Sequence, residues 1–153
     1  MYPALESRGD IFKMLDGMTM ARKEVLDRCG RLSPDKLNDP VYPGTWSVLK
    51  NLAHLAWAEE YMLSWIQKRP GVLAPEERQP EPPAELSAVR KALDEAHAAG
   101  IAFLKANPEA VLKERCQYSR KGEQTVGGVF YHLIEHEIHH WAFVTHKLAR
   151  LEQ

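Results

Sequence analysis

The sequence predicts an all-α protein, a four-helix bundle in a single domain over residues 1–153. Four segments carry apolar residues at the three- to four-residue spacing of an amphipathic helix, and none shows the convincing alternation of a β-strand. The segments between them contain Pro and Gly dipeptides that interrupt helices. A chain of 153 residues has the usual size for one domain with its own core.

The first two helices are bounded by recognisable start and stop residues. The first is predicted over about Asp10–Cys29, with Gly30 as the residue that ends it. The linker 32–45 contains Ser-Pro-Asp, Asp-Pro and Pro-Gly, and is predicted not to be helical. The second helix is predicted over Ser47–Lys68 and is apolar nearly all round, which is typical of a helix packed on several sides. His54 lies in the middle of it.

The last two helices follow a stretch rich in Pro and Glu, 71–83, which we expect to be an exposed loop. The third helix is predicted over about Ala84–Ala106. A polar stretch, Lys113–Gln124, leads to the fourth helix, which is predicted to be capped by Thr125 and to end near Leu151. Four such amphipathic helices in one domain predict an all-α bundle.

Composition and charge exclude several classes of function. The net charge is −1 and the basic residues are scattered, so neither nucleic acid nor an anionic membrane is expected as a partner. Acidic residues interrupt the first twenty positions, unlike a signal peptide, and no stretch has the roughly 20 apolar residues of a membrane span. Cys29 and Cys116 are far apart and read as reduced thiols, so we expect a cytoplasmic protein.

Seven histidines are present, and the spacing of two of them predicts a metal site. His136 and His140 are one helical turn apart on the predicted inner face of the fourth helix, where His132 could extend the row. His54 is predicted to be buried on the second helix. Buried neutral imidazoles need a partner for both ring nitrogens, and a shared divalent cation meets that need.

Polar residues near the three histidines bear on the predicted metal site, and an alternative to that site remains. Asn51, Glu135 and Glu137 are candidates to orient the ligand rings, because the second nitrogen of a ligand imidazole usually donates a hydrogen bond. His97, on a helix rich in Ala and charge, is expected to face solvent. The alternative is that the three imidazoles only hydrogen-bond across the bundle.

A second pattern, His136-Glu137-Ile138-His139-His140, matches the H-E-x-x-H signature of zinc proteases. In the extended signature a glycine turns the chain so that a third histidine reaches the metal. That position is Phe143, so the helix should continue and carry His146 about 15 Å along the axis from His136. Without a sheet edge for an extended substrate either, the sequence disfavours a protease.

Two segments resemble motifs of the DinB/YfiT-like superfamily. The first, Gly44–Leu55, reads GTWSVLKNLAHL, and the second combines Gly122–Val126 with Tyr131–His140, YHLIEHEIHH. The resemblance implies a four-helix bundle that binds a divalent metal through His54, His136 and His140. Zinc, nickel and manganese occur in that family, and three imidazoles suit zinc or nickel best. Where family members often continue with Arg-Gly-Gln, this chain has Trp141-Ala142-Phe143.

Three protein ligands leave one coordination position open, which is typical of a reactive metal site. The resemblance implies a transferase that activates a low-molecular-weight thiol toward an organic electrophile. We expect the open position to face a pocket between the second and fourth helices, with Tyr61, Trp57 and Trp141 as candidate walls. A metal-dependent hydrolase and a non-catalytic metal-binding stress-response protein remain alternatives. Relatives are often bacterial homodimers, and an outward-facing Phe143 or Trp57 would supply the apolar interface.

Overall fold

Helices account for most of the chain in the computed structural model, which describes residues 1–67, 81, 85–117 and 122–153. In chain order they are α1 (Arg8–Cys29), α2 (Pro34–Asn38), α3 (Val48–Ile66), α4 (Leu86–Ala106) and α5 (Val126–Leu151). Between α4 and α5 lie a 3₁₀ helix (Glu109–Lys113) and two strands, β1 (Arg115–Gln117) and β2 (Glu123–Thr125). The four long helices form the predicted bundle.

The four long helices confirm the predicted fold class, and their bounds differ from the predicted ones by a few residues. Lys68, Ala84 and the predicted loop 71–83, apart from Glu81, lie outside the described residues. Side-chain caps explain the starting points. Ser47 accepts a hydrogen bond from the Lys50 amide, and Thr125 accepts one from the amide of Gly128.

Two connections differ from the prediction. The linker 32–45 contains α2, because Ser33 caps the Lys36 amide and Pro34 occupies the first turn, where a proline needs no amide hydrogen. The stretch Lys113–Gln124 contains β1 and β2, which pair antiparallel with Cys116 opposite Gln124. Each strand has three residues, which is too short for an alternating pattern to stand out in the sequence.

The core runs the length of the bundle in two apolar clusters. One cluster includes Ile11, Leu63 and Phe130, and the other includes Leu52, Leu93 and Leu148. Helix α3 contributes to both clusters and contacts α4 and α5, as its apolar circumference predicted. Among the described residues, the helices are too short or too polar to cross a membrane.

The segment before α1 packs against the beginning of α5. The Leu5 amide donates to the carbonyl of Gly127 at 3.3 Å, and the Tyr2 amide donates to Oε1 of Gln124 at 2.8 Å. A Cβ atom at Gly127 would lie 2.0 Å from the Leu5 carbonyl oxygen. The close approach of two backbones therefore requires glycine at this position.

Candidate metal centre

Three imidazoles converge between α3 and α5. Nε2 of His54 lies 3.2 Å from Nε2 of His136, and the ring of His140 is centred 4.8 Å from the first ring and 4.6 Å from the second. One nitrogen from each ring falls within 4.8 Å of the other two. The one-turn spacing on α5 and the packing of α3 against it produce this arrangement. The structure thus brings the three predicted ligands together.

Asn51 determines which nitrogen of His140 faces the other two rings. Its Nδ2 donates to the carbonyl of Ser47 at 2.8 Å, one turn back on α3, so its Oδ1 is left to accept. Nδ1 of His140 lies 3.0 Å from this oxygen and must donate to it. The lone pair of His140 is therefore on Nε2, the nitrogen available to a metal.

The donor set fits a divalent transition metal. Two nitrogens bound at the usual zinc distance in a tetrahedral site lie about 3.3 Å apart, close to the observed separation of His54 and His136. Burial, together with the charges of His54 and His139, lowers the pKa of His140 to about 4, so its ring is neutral at pH 7. The three rings are partly buried rather than fully buried as predicted, which leaves the site reachable.

Tryptophan side chains flank the triad. The Trp46 ring is centred 5.0 Å from that of His54 and 6.3 Å from that of His140, and it is 37% exposed. The Trp57 ring is centred 5.7 Å from that of His54 and stacks on Tyr61. Of the predicted walls, Trp57 thus lies beside the site, and Tyr61 packs against Trp57. Trp46 was not predicted as a wall, although it belongs to the motif around His54.

Trp141, the third predicted wall, does not take that position. It is 7% exposed, packs in the core and donates its indole hydrogen to Glu137 at 3.0 Å. It also borders a cavity between α1 and α5, on a face of α5 that differs from the face carrying His136 and His140. Trp141 lies five positions after His136, which is well over one turn, so the two side chains point in different directions.

The loop that carries Trp46 is anchored by a buried lysine. Nζ of Lys147 donates to the carbonyl of Pro40 and to Oγ1 of Thr45, and it lies 5.3 Å from the centre of the Tyr42 ring. Lys147 is 4% exposed, and nothing in the sequence pattern predicted its burial. Its contacts hold both ends of the loop against α5, and so they set the position of Trp46.

Glu137 is engaged by a buried arginine. Nε and Nη2 of Arg22 donate to its two carboxylate oxygens, and Nη2 also donates to Glu59. Burial lowers the pKa of Arg22, but the hydrogen bond to Glu137 and the charge of Glu59 outweigh it and raise the pKa above its ordinary value. The predicted role of Glu137 in orienting a ligand ring stays a prediction. Nothing in the sequence pattern pointed to Arg22.

The remaining histidines lie around the triad. The His132 ring stacks on Tyr2 with centres 4.2 Å apart, and its Nδ1 lies 3.3 Å from the carboxylate of Glu135, which is exposed. His97 was expected to face solvent, which was wrong. Its side chain is 16% exposed, with Nδ1 3.4 Å from Glu59, because the helix face with Ala96 and Gly100 packs inward.

The structure also disfavours the H-E-x-x-H interpretation. Helix α5 continues without a break to Leu151, as predicted from Phe143, and His146 is exposed and stacks on Tyr42. The carboxylate of Glu137, which would have to activate water in a protease, accepts hydrogen bonds from Arg22 and Trp141 instead.

Comparison with known proteins agrees with the four-helix fold. The chain is similar over 98% of its length to a DinB-like protein from Bacillus cereus, of which it covers 94%, with a TM-score of 0.71 and 17% identity. It is also similar to a solved four-helix bundle protein, with a TM-score of 0.65, 21% identity, and coverage of 91% of this chain and 98% of that one. No curated protein matches the sequence. The family model of the DinB superfamily matches residues 18–144, and the chain therefore belongs to the DinB superfamily.

Proposed function

We propose that this protein binds one divalent transition metal ion through His54, His136 and His140 and is a transferase that uses a low-molecular-weight thiol on an organic electrophile. The observation that carries the proposal is the convergence of the three imidazoles within 4.8 Å, with the third ring oriented by Asn51. Zinc or nickel is the ion we expect, and manganese is the next candidate.

A bound divalent metal would lower the pKa of a coordinated thiol or water and so supply a nucleophile at neutral pH. The chain itself supplies the surroundings. Trp46 and Trp57 form apolar walls beside His54, suited to a flat or apolar electrophile and to the exclusion of bulk water. Tyr61 stacks on Trp57 and keeps that ring in place.

The cysteines of the chain support the use of an external thiol. Cys29 is 0% exposed, and burial raises its pKa to about 11, so it is a poor nucleophile at neutral pH. Cys116 is 4% exposed and lies on β1 opposite Gln124. Both cysteines are buried, and we expect the protein in a reducing compartment such as the cytoplasm.

The metal itself is tested first. Purified protein should contain close to one transition metal ion per chain, and His54→Ala, His136→Ala and His140→Ala should each lower that ratio sharply. His139→Ala is the matched control, because His139 is exposed on α5 between two proposed ligands. Full metal occupancy in the folded His136→Ala variant would overturn the assignment. Binding should also weaken below about pH 6, where imidazole becomes protonated.

The reaction is tested with metal-loaded protein, a set of low-molecular-weight thiols and an organic electrophile, while the loss of thiol is followed. Activity should require both metal and thiol, and Cys29→Ser should leave the rate unchanged. Turnover of an ester or amide without thiol would favour the hydrolase instead. No turnover with any thiol, in protein that binds metal, would favour the non-catalytic metal-binding protein.

We also propose that the protein is a two-fold homodimer. Phe143, which is 52% exposed, and Ile138, which is 60% exposed, place large apolar side chains on the outside of α5. Beside Ile138, a largely apolar cavity of about 580 Å³ opens between α1 and α5. Light scattering should give the mass of a dimer, and Ile138→Glu should shift it toward a monomer. A monomeric mass for the unchanged protein at micromolar concentration would contradict the proposal.

A further inference from the structure

A buried ionic cluster connects the four long helices next to the histidine triad. Arg22 extends from α1 and donates to Glu59 on α3 and to Glu137 on α5. Its Nη1 also donates to the carbonyl of Leu93 on α4 at 3.3 Å. The three charged side chains are each at most 5% exposed. One guanidinium thus contacts two carboxylates where water is largely excluded.

This cluster carries more negative than positive charge. Both oxygens of Glu137 accept from N–H donors, which is the hydrogen-bonding pattern of an ionised carboxylate. Burial raises the pKa of Glu59, but its contact with His97 and the charge of Arg22 outweigh burial, so its pKa lies below the ordinary value. The two carboxylates and the one guanidinium of the cluster together leave one net negative charge on these three side chains.

The cluster and the triad share a small cavity. Glu59 and Glu137 line it together with His136, and the remaining lining is apolar: Leu55, Met62 and Leu133. The space is too small to hold a water molecule. Because a water molecule does not fit in this space, the negative charge of the two carboxylates is weakly screened at the His136 ring.

Stability alone gives a weak reason for such a cluster. Removing an arginine and two carboxylates from water costs free energy that their mutual attraction only roughly repays. The excess negative charge has a clearer consequence at the triad, because three neutral imidazoles bring no charge to offset that of a divalent cation.

We propose that the net negative charge of the Arg22–Glu59–Glu137 cluster, which lies next to His136, raises the affinity of the histidine triad for a divalent cation. This inference rests on the proposed metal site and deepens it. The residues act through their charge and are not ligands. It follows that affinity depends on the net charge of the cluster, and not on any one of its side chains.

The test measures the Kd for Zn²⁺ by competition with a chelator in three variants. Glu59→Gln keeps the size of the side chain and one acceptor oxygen for Arg22, but it brings the net charge of the cluster to zero. It should weaken binding by about 10- to 100-fold. The double variant Arg22→Gln/Glu59→Gln leaves Glu137 as the charged member, restores one net negative charge and should regain most of the lost affinity. Glu152→Gln, which breaks the Arg28–Glu152 pair at the far end of α5, is the matched control and should bind normally.

The absorption spectrum of bound Co²⁺ provides a second readout. The spectrum should be the same in the unchanged protein and in Glu59→Gln, because the ligands stay in place and only the affinity changes. A folded Glu59→Gln variant with unchanged Kd, or an altered Co²⁺ spectrum, would overturn the inference while leaving the metal site intact. If the double variant Arg22→Gln/Glu59→Gln binds Zn²⁺ at least tenfold more weakly than the unchanged protein, the inference is also overturned. This comparison tests the inference if Glu59→Gln alone does not fold. Absence of Zn²⁺ binding by the unchanged protein would instead refute the proposed function and this inference with it.

Discussion

Replacement of Asn51 by leucine should weaken metal binding without unfolding the protein. The Asn51 side chain is 4% exposed and donates to the carbonyl of Ser47 at the start of its own helix. It also accepts from Nδ1 of His140 at 3.0 Å, and this bond joins α3 to α5. Leucine has a similar volume but no acceptor, so His140 loses the contact that keeps its Nε2 lone pair directed at the other rings. We therefore expect the apolar replacement to act on the metal site through the orientation of one ligand.

The expected size follows from the hydrogen bond that is lost. A buried donor left without its partner costs about 1–3 kcal/mol. At about 1.4 kcal/mol per factor of ten, this corresponds to a rise in Kd of about 5- to 150-fold. That range overlaps the effect usually found when a residue that orients a metal-binding histidine is removed. Asn51→Asp keeps an acceptor for His140 and should bind metal more tightly than Asn51→Leu.

The assay is competition for Zn²⁺ against a chromophoric chelator, with circular dichroism to confirm folding. Asn107→Leu is the matched control, because the Asn107 amide makes the same bond to a carbonyl one turn back, at 2.8 Å, and it faces no ligand. Its metal affinity should be unchanged. If folded Asn51→Leu bound Zn²⁺ as tightly as the unchanged protein, the assignment of the His140 lone pair through Asn51 would be refuted.

Three further predictions concern stability. Because the pKa of Glu59 lies below its ordinary value of 4.5, its ionised form stabilises the fold above that pH. The stabilisation by ionised Glu59 should disappear as the pH falls through the lowered pKa and the carboxylate is protonated. In that pH range the thermal midpoints of the unchanged protein and of Glu59→Gln should converge. Gly127→Ala should detach the segment before α1, because the new methyl group would meet the Leu5 carbonyl at 2.0 Å; faster amide exchange at Leu5 checks this, and unchanged exchange would contradict it. Phe130→Ala, at a fully buried position, should lower the free energy of unfolding by about 3–5 kcal/mol in urea titrations.

Local patterns explain why the helices and the candidate metal ligands could be predicted. Helix period and capping residues are encoded within a few positions, so Ser47, Thr125 and the apolar faces of α3 and α5 indicated where these helices begin and which sides are buried. The spacing of His136 and His140 placed both on one helical face for the same reason. The three-residue strands β1 and β2 were missed because their pairing joins residues far apart in the chain, with no local period to reveal it.

The sequence by itself therefore determined the bundle, the three histidines that converge in it and Asn51 as a residue that contacts one of them. Tertiary structure alone decided the surroundings of the site. Trp46 lies beside the triad because Lys147 holds its loop against α5, and Trp141 lies in the core beside α1 instead. Arg22 meets Glu59 and Glu137 across three helices. These contacts depend on how helices rotate and pack against one another, and a periodic pattern along one helix carries no information on which residue of another helix it will meet.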